Sequence, residues 1–182
     1  LEVRSGMPAN AFALPGGTVV TTDAIVQVAA DKGISDDALI GVLAHEIGHV
    51  VHRHGMRMVV EQGVLNMGLG LALGDVSGVV SSGATLLTSL AYSRSHEREA
   101  DCYAIALMRH TALPMAPMGQ LLLAIAHDEE EDEKKKKEAP GQPRPGTRQE
   151  AEEHPVWSPL SSPPDTVRRA KELEQGHAPH CS

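Results

Sequence analysis

Aromatic side chains are nearly missing from this chain: Phe, Trp and Tyr together make up 2% of its 182 residues. A core organised around large rings is therefore excluded. The interior has to be built from Ala, Val, Leu, Ile and Met, which suits helices in close approach. Basic charge is also short, with 16 Lys and Arg against 24 Asp and Glu and a net charge of -8. No basic patch interleaves with aromatics, which speaks against a nucleic-acid partner. Two cysteines are too few for a disulfide framework or a four-cysteine metal site. Cys102 reads as a small, half-buried helix residue and Cys181 as a free thiol in a loose tail, with no bridge expected between them. Long apolar runs are absent as well. The most apolar region, 63–92, is interrupted by Asp75 and several glycines. Neither half reaches the roughly 18–20 residues needed to span a bilayer, so it reads as bundle helices packed through small residues. No internal repeat is visible.

What is present is concentrated in a few short blocks. Residues 45–49 read His-Glu-Ile-Gly-His within an apolar helical pattern of Leu39, Ile40, Val42, Leu43, Ile47, Val50 and Val51. Ser35 reads as the N-cap, Asp36 and Asp37 suit the first turn, and Gly55 offers a stop, which predicts a buried helix over 36–54. Histidines four apart share one face of a helix, so His45 and His49 can reach one ion. Glu46 stands beside the first of them, where it can take a proton from an attacking water.

A second block, Ser93-Arg94-Ser95-His96-Glu97-Arg98-Glu99-Ala100-Asp101, places Glu97 and Asp101 on one helical face. Glu97 is the third-ligand candidate. Asp101, one turn on, is positioned to accept a hydrogen bond from a ligand histidine and fix its tautomer. His45, His49 and Glu97 then form the two-histidine, one-glutamate set of a catalytic zinc, with one Zn2+ per chain. Glu99 is expected to point away, toward solvent or toward Arg94 or Arg98. His96 is a poor ligand candidate, and His52 and His54 are expected to pack or to face solvent.

These blocks, together with Asn10-Ala11-Phe12-Ala13-Leu14-Pro15-Gly16-Gly17, resemble the HtpX-like and CAAX-prenyl-protease-like zinc metallopeptidases, and most closely their bacterial periplasmic branch typified by BepA and LoiP. The resemblance covers residues 1–127 and resumes at 158–175. It implies His45, His49 and Glu97 as ligands, Glu46 as the catalytic base and Asp101 as the carboxylate behind a ligand. It also implies a substrate or oxyanion region at Asn10, Ala11, Phe12, Ala13 and Arg169, with Arg168 as a register alternative. The family carries a histidine where this chain has Pro163, so one donor near the metal is missing from the pattern. The implied activity is zinc-dependent endopeptidase cleavage of misfolded envelope or membrane proteins, in the periplasm or at a membrane. The rival is a metal-stabilised, chaperone-like binding module with little proteolysis.

The expected fold is α+β and mainly α: a small antiparallel sheet beside a zincin-type helical bundle carrying the metal helix. Strands are expected near Val3, over 11–14 and over 18–22, and the edge strand can pair with an extended peptide. Helices are expected over 23–31, 118–126 and 164–175. The division is a catalytic domain at 1–127, a disordered charged and Pro-rich insertion at 128–150, and a helix and tail of the same domain at 151–182. The chain starts Leu-Glu-Val-Arg without an initiator methionine. It therefore reads as an excised fragment, so the absence of a signal peptide or membrane anchor from it carries no information.

Overall fold

The structure, a computed structural model, describes residues 1–61, 92–138, 165–176 and 181. Three strands, β1 (Glu2–Arg4), β2 (Ala11–Ala13) and β3 (Val19–Thr22), form a sheet in the order β1-β3-β2. The sheet is mixed, which corrects the antiparallel expectation: β2 runs antiparallel to β3, whereas β1 runs parallel to it. The tight hairpin, closed by Leu14 N–H donating to Thr18 O, takes one edge of β3. β1 is left with the opposite edge, and the intervening loop reverses the chain direction.

Helix α1 (Asp23–Asp31) is capped by Thr22, whose hydroxyl accepts from the Ile25 amide, and ends before Gly33, which has a positive φ of 64°. Helix α2 (Asp37–Val51) carries both site histidines. It stops three residues before the expected end. Arg53 adopts a left-handed φ of 56°, the chain turns, and helical residues resume at 54–61. Gly55 therefore lies inside the second helical stretch and is not the stop. Helix α3 (Arg94–His110) carries Glu97 and Asp101, and Ser93 caps it by accepting from the His96 amide. Helix α4 (Ala116–Glu138) and helix α5 (Asp165–Glu174) complete the set.

Helix α4 runs through the acidic and lysine blocks, which the sequence reading assigned to disorder from 128 onward. Acids four residues ahead of lysines are in the helix-favouring order, Glu130 with Lys134 and Glu131 with Lys135 among them. Lys32 also reaches from α1 to Asp128 at 3.0 Å. The rest of that insertion, residues 63–91 of the region expected to form small-residue helices, and Pro163 lie outside the described residues. No helix among the described residues is long and apolar enough to cross a membrane.

The core holds Ile25, Val42, Met108, Met118, Leu121, Leu122 and several alanines, with no aromatic ring among its described buried hydrophobic residues. Its helices do come very close, and two glycines show how this positions the site. A Cβ on Gly48 would lie 3.0 Å from the Ala100 Cα, so α2 and α3 cross almost backbone to backbone at the site. A Cβ on Gly119 would lie 2.4 Å from the Ala170 carbonyl oxygen, so α4 and α5 touch directly next to Arg169. The tail is also anchored, contrary to expectation. Cys102 on α3 is disulfide-bonded to Cys181, with Cα atoms 5.3 Å apart. A 79-residue separation gives no local signal of that pairing.

Candidate metal-dependent active site

Helix α2 presents His45, Glu46 and His49, all fully or almost fully buried, toward α3. His45 Nε2 and His49 Nε2 lie 3.0 Å apart. Glu97 Oε2 is 3.5 Å from the first and Glu97 Oε1 is 3.5 Å from the second. Tetrahedral ligands about 2.05 Å from a zinc ion stand about 3.3 Å from one another, so these separations fit one small cation. The donor chemistry agrees. Asp101 accepts from His45 Nδ1–H at 3.0 Å, which leaves the Nε2 lone pair of a neutral His45 free for a metal. Glu97 Oε1 is buried without a hydrogen-bond partner. The three residues spaced by the sequence pattern are thus brought together.

The carboxylates behind this set are held by Arg169 from α5. Its Nε donates to Asp101 Oδ2 at 2.7 Å, one terminal nitrogen donates to Asp101 Oδ1 at 2.8 Å, and the other donates to Glu97 Oε2. Arg169, not the exposed Arg168, is the inward arginine, and its guanidinium is spent on the two carboxylates. Burial alone would raise the Asp101 carboxyl; the Arg169 charge and hydrogen bonds, with His45, outweigh it and hold Asp101 at about 2. Burial would lower His45, yet hydrogen bonds to Asp101 and Glu97 push it up to about 10 in the metal-free protein. His49 moves down, through burial first and then the charge of His45. The positive charge of the metal-free pair therefore sits on His45.

Glu46 has both carboxylate oxygens buried without a well-formed hydrogen bond. Burial pushes it up to about 8, with His45 opposing the shift, Glu97 adding to it and the Ala13 amide acting weakly against it. It is the acid beside the ligand set whose oxygens remain available for chemistry.

The region at Asn10, Ala11, Phe12 and Ala13 is the outer strand β2. Asn10 O accepts from the Thr22 amide, and Leu14 pairs with Thr18, so alternation turns the main-chain groups of Ala11 and Ala13 outward. Asn10 Oδ1 accepts from the Ala11 amide at 2.9 Å. The Ala13 carbonyl accepts from the Tyr92 hydroxyl at 3.4 Å. A cavity of about 330 Å³ opens between this strand's turn and α2, lined by Ala13, Pro15, Gly17, His49, Arg53 and Tyr92 among others.

Four neighbours complete the surroundings of His49: Tyr92, which the sequence reading did not single out, and His54, Glu99 and His96, whose partners it did not find. Tyr92 stacks on His49 with ring centroids 3.9 Å apart. His54 is fully buried, its Nδ1 2.9 Å from His49 Nδ1 and its Nε2 3.1 Å from Glu99 Oε2. Glu99 turns to that imidazole and toward Arg57, not to Arg94 or Arg98. His96, no ligand, is buried and stacks on His54 at 4.3 Å. Helical spacing could not find these contacts, because His54 arrives only after the left-handed break at Arg53.

Residues 2–176 match the profile of Peptidase family M48. Among similar proteins is the mitochondrial metalloendopeptidase OMA1 of Saccharomyces cerevisiae, 34% identical over 102 residues, which are 54% of this chain and 28% of that protein. A putative beta-barrel assembly-enhancing protease of Vibrio cholerae is 32% identical over 132 residues, 65% of this chain and 26% of its own length. The beta-barrel assembly-enhancing protease of Yersinia pestis is 29% identical over 130 residues, 64% of this chain and 26% of its own length. The chain thus spans less than a third of the length of these relatives.

Proposed function

The chain belongs to peptidase family M48, and from that premise we propose that it forms the catalytic unit of a zinc metalloendopeptidase working in envelope or membrane protein quality control. The observation that carries the proposal is the convergence of His45 Nε2, His49 Nε2 and Glu97 on one point, beside a buried Glu46 with unpartnered oxygens. Residues 1–127 and 151–182 act as one domain in this reading. The support is Arg169, which reaches from α5 to the α3 carboxylates.

His45, His49 and Glu97 would hold the ion. When bound, zinc supplies Lewis-acid polarisation of a water and of the scissile carbonyl. Glu46 takes a proton from the attacking water as its oxygen bonds to the carbonyl carbon. It then delivers that proton to the amide nitrogen as the carbon–nitrogen bond breaks. Asp101 holds the His45 ring in the Nδ1–H tautomer, and Arg169 keeps Asp101 ionised and orients both Asp101 and Glu97. Substrate lies along β2 as an added strand, using the outward groups of Ala11 and Ala13. The Tyr92 hydroxyl must then leave the Ala13 carbonyl.

The substrates in this reading are misfolded envelope or membrane proteins, and the compartment is the bacterial periplasm or a membrane surface facing it. The Cys102–Cys181 disulfide supports an oxidising compartment, and the beta-barrel assembly-enhancing proteases among the relatives point the same way. The test is casein cleavage by wild type and Glu46→Gln, with zinc measured in both. Loss of the base is expected to cut the rate about 10²–10⁴-fold. Equal rates with zinc bound in both would favour the binding module. Undiminished stoichiometric zinc in Glu97→Ala would remove the third ligand.

A further inference from the structure

His52, His54 and Glu99 lie close enough together to suggest a second ion site next to the first. Proton bookkeeping argues otherwise. His49 directs Nε2 at His45 and Glu97, whether that nitrogen binds a metal or accepts the His45 proton. Its single hydrogen must then sit on Nδ1. Among the described residues, the group facing that hydrogen, at 2.9 Å, is His54 Nδ1, which has to present a lone pair. A neutral His54 then carries its own hydrogen on Nε2, where Glu99 Oε2 accepts it at 3.1 Å. Both nitrogens of His54 are committed, so none is left to ligate a second cation.

We propose that His54, oriented by Glu99, is the positioning residue for His49. It holds the His49 Nε2 lone pair on the metal as Asp101 does for His45. The geometry of the chain His49–His54–Glu99 is the basis. His54 is fully buried, stacked on His96, and reached by Glu99 from α3 across the α2–α3 crossing. The arrangement is preorganised, since the same tautomers serve the metal-free and metal-loaded protein. It rests on the zinc reading above, with the outcomes kept separate as follows.

Long-range proton–nitrogen NMR of the imidazoles in wild type should show His54 neutral with its hydrogen on Nε2, with and without zinc. The Nδ1–H tautomer, or an imidazolium, would overturn the proposal. This readout holds even if wild type takes up no metal, an outcome that would count against the zinc reading alone. Zinc affinity by chelator competition supplies the second arm. His54→Phe keeps a stacking ring but no acceptor, and should bind roughly 10–100-fold more weakly. His54→Asn offers Oδ1 near the position of Nδ1 and should recover most of that loss. Equal affinity for the two variants would overturn the assignment, as would two zinc ions per wild-type chain. The NMR measurement and the Asn variant decide the matter if the Phe variant does not fold.

Discussion

The two proposed ligand histidines are neighbours on one helix, yet they are supported by opposite kinds of chemistry. Behind His45 stands a buried charged clamp, Asp101 and Glu97 gripped by Arg169. Behind His49 stand a neutral imidazole and a carboxylate close to solvent, Glu99, whose side chain is 44% exposed. The charged side gains strength from low dielectric and depends on every partner being present. The imidazole side involves little desolvated charge and fixes direction instead. The proposed metal site thus obtains aim from one flank and holding power from the other.

The greatest break in this contrast should come from Arg169→Met. Two buried carboxylates lose their cation, and the metal-free protein should lose about 3–5 kcal/mol of stability in urea unfolding. The counterpart on the other flank, Arg57→Met, removes a half-exposed guanidinium 3.6 Å from Glu99 and should change stability by less than about 1 kcal/mol. Similar losses for both would erase the distinction. Next, Asp101→Asn should weaken zinc binding about 10–100-fold by chelator competition, because an amide can turn its donor toward His45.

The pH dependence of the metal-free protein sharpens the same contrast. Glu46 is raised from 4.5 to about 8, so the folded state binds the extra proton between those values. Its contribution is full below 4.5 and is lost as pH rises through 8. Asp101 is depressed from 3.8 to about 2, so its contribution is present above 3.8 and is lost as pH falls through 2. Below pH 6.5 the lowered His49 opposes Glu46; from pH 6.5 to 8 Glu46 and His45 both hold a proton that the unfolded chain has lost, so unfolding free energy should decline there, and Glu46→Gln should reduce that slope. An unchanged slope in the variant would assign it to another group. The smallest effect is expected from Glu99→Ala, less than about tenfold in zinc affinity, because water can replace a half-exposed carboxylate as acceptor.

The charged flank was legible in the sequence and the neutral flank was not. His45 with His49, and Glu97 with Asp101, are each four apart, and helical periodicity puts such pairs on one face. Arg169 was found by resemblance, but its contact with both carboxylates needed the α4–α5 approach at Gly119. His54 lies past a left-handed residue, where counting along a helix no longer predicts direction. Glu99 was assigned to solvent or to Arg94 or Arg98; its side chain is indeed part-exposed, but its partners, His54 and Arg57, come from the returning chain. In the sheet, the position of β3 followed its β-branched residues, but its parallel partner is chosen by which edge the hairpin leaves open. The Cys102–Cys181 bridge depends on where a distant tail returns, which spacing does not encode.

That sulfur link has a practical consequence for any peptidase that nicks itself. A cut anywhere between residues 103 and 180 leaves both pieces covalently joined, because one cysteine remains on each. Electrophoresis without reductant would show a single band at full mass, and only added thiol would reveal two fragments. A preparation can thus look intact while its chain is already severed, with the helix bearing Glu97 still tethered to the piece that supplies Arg169.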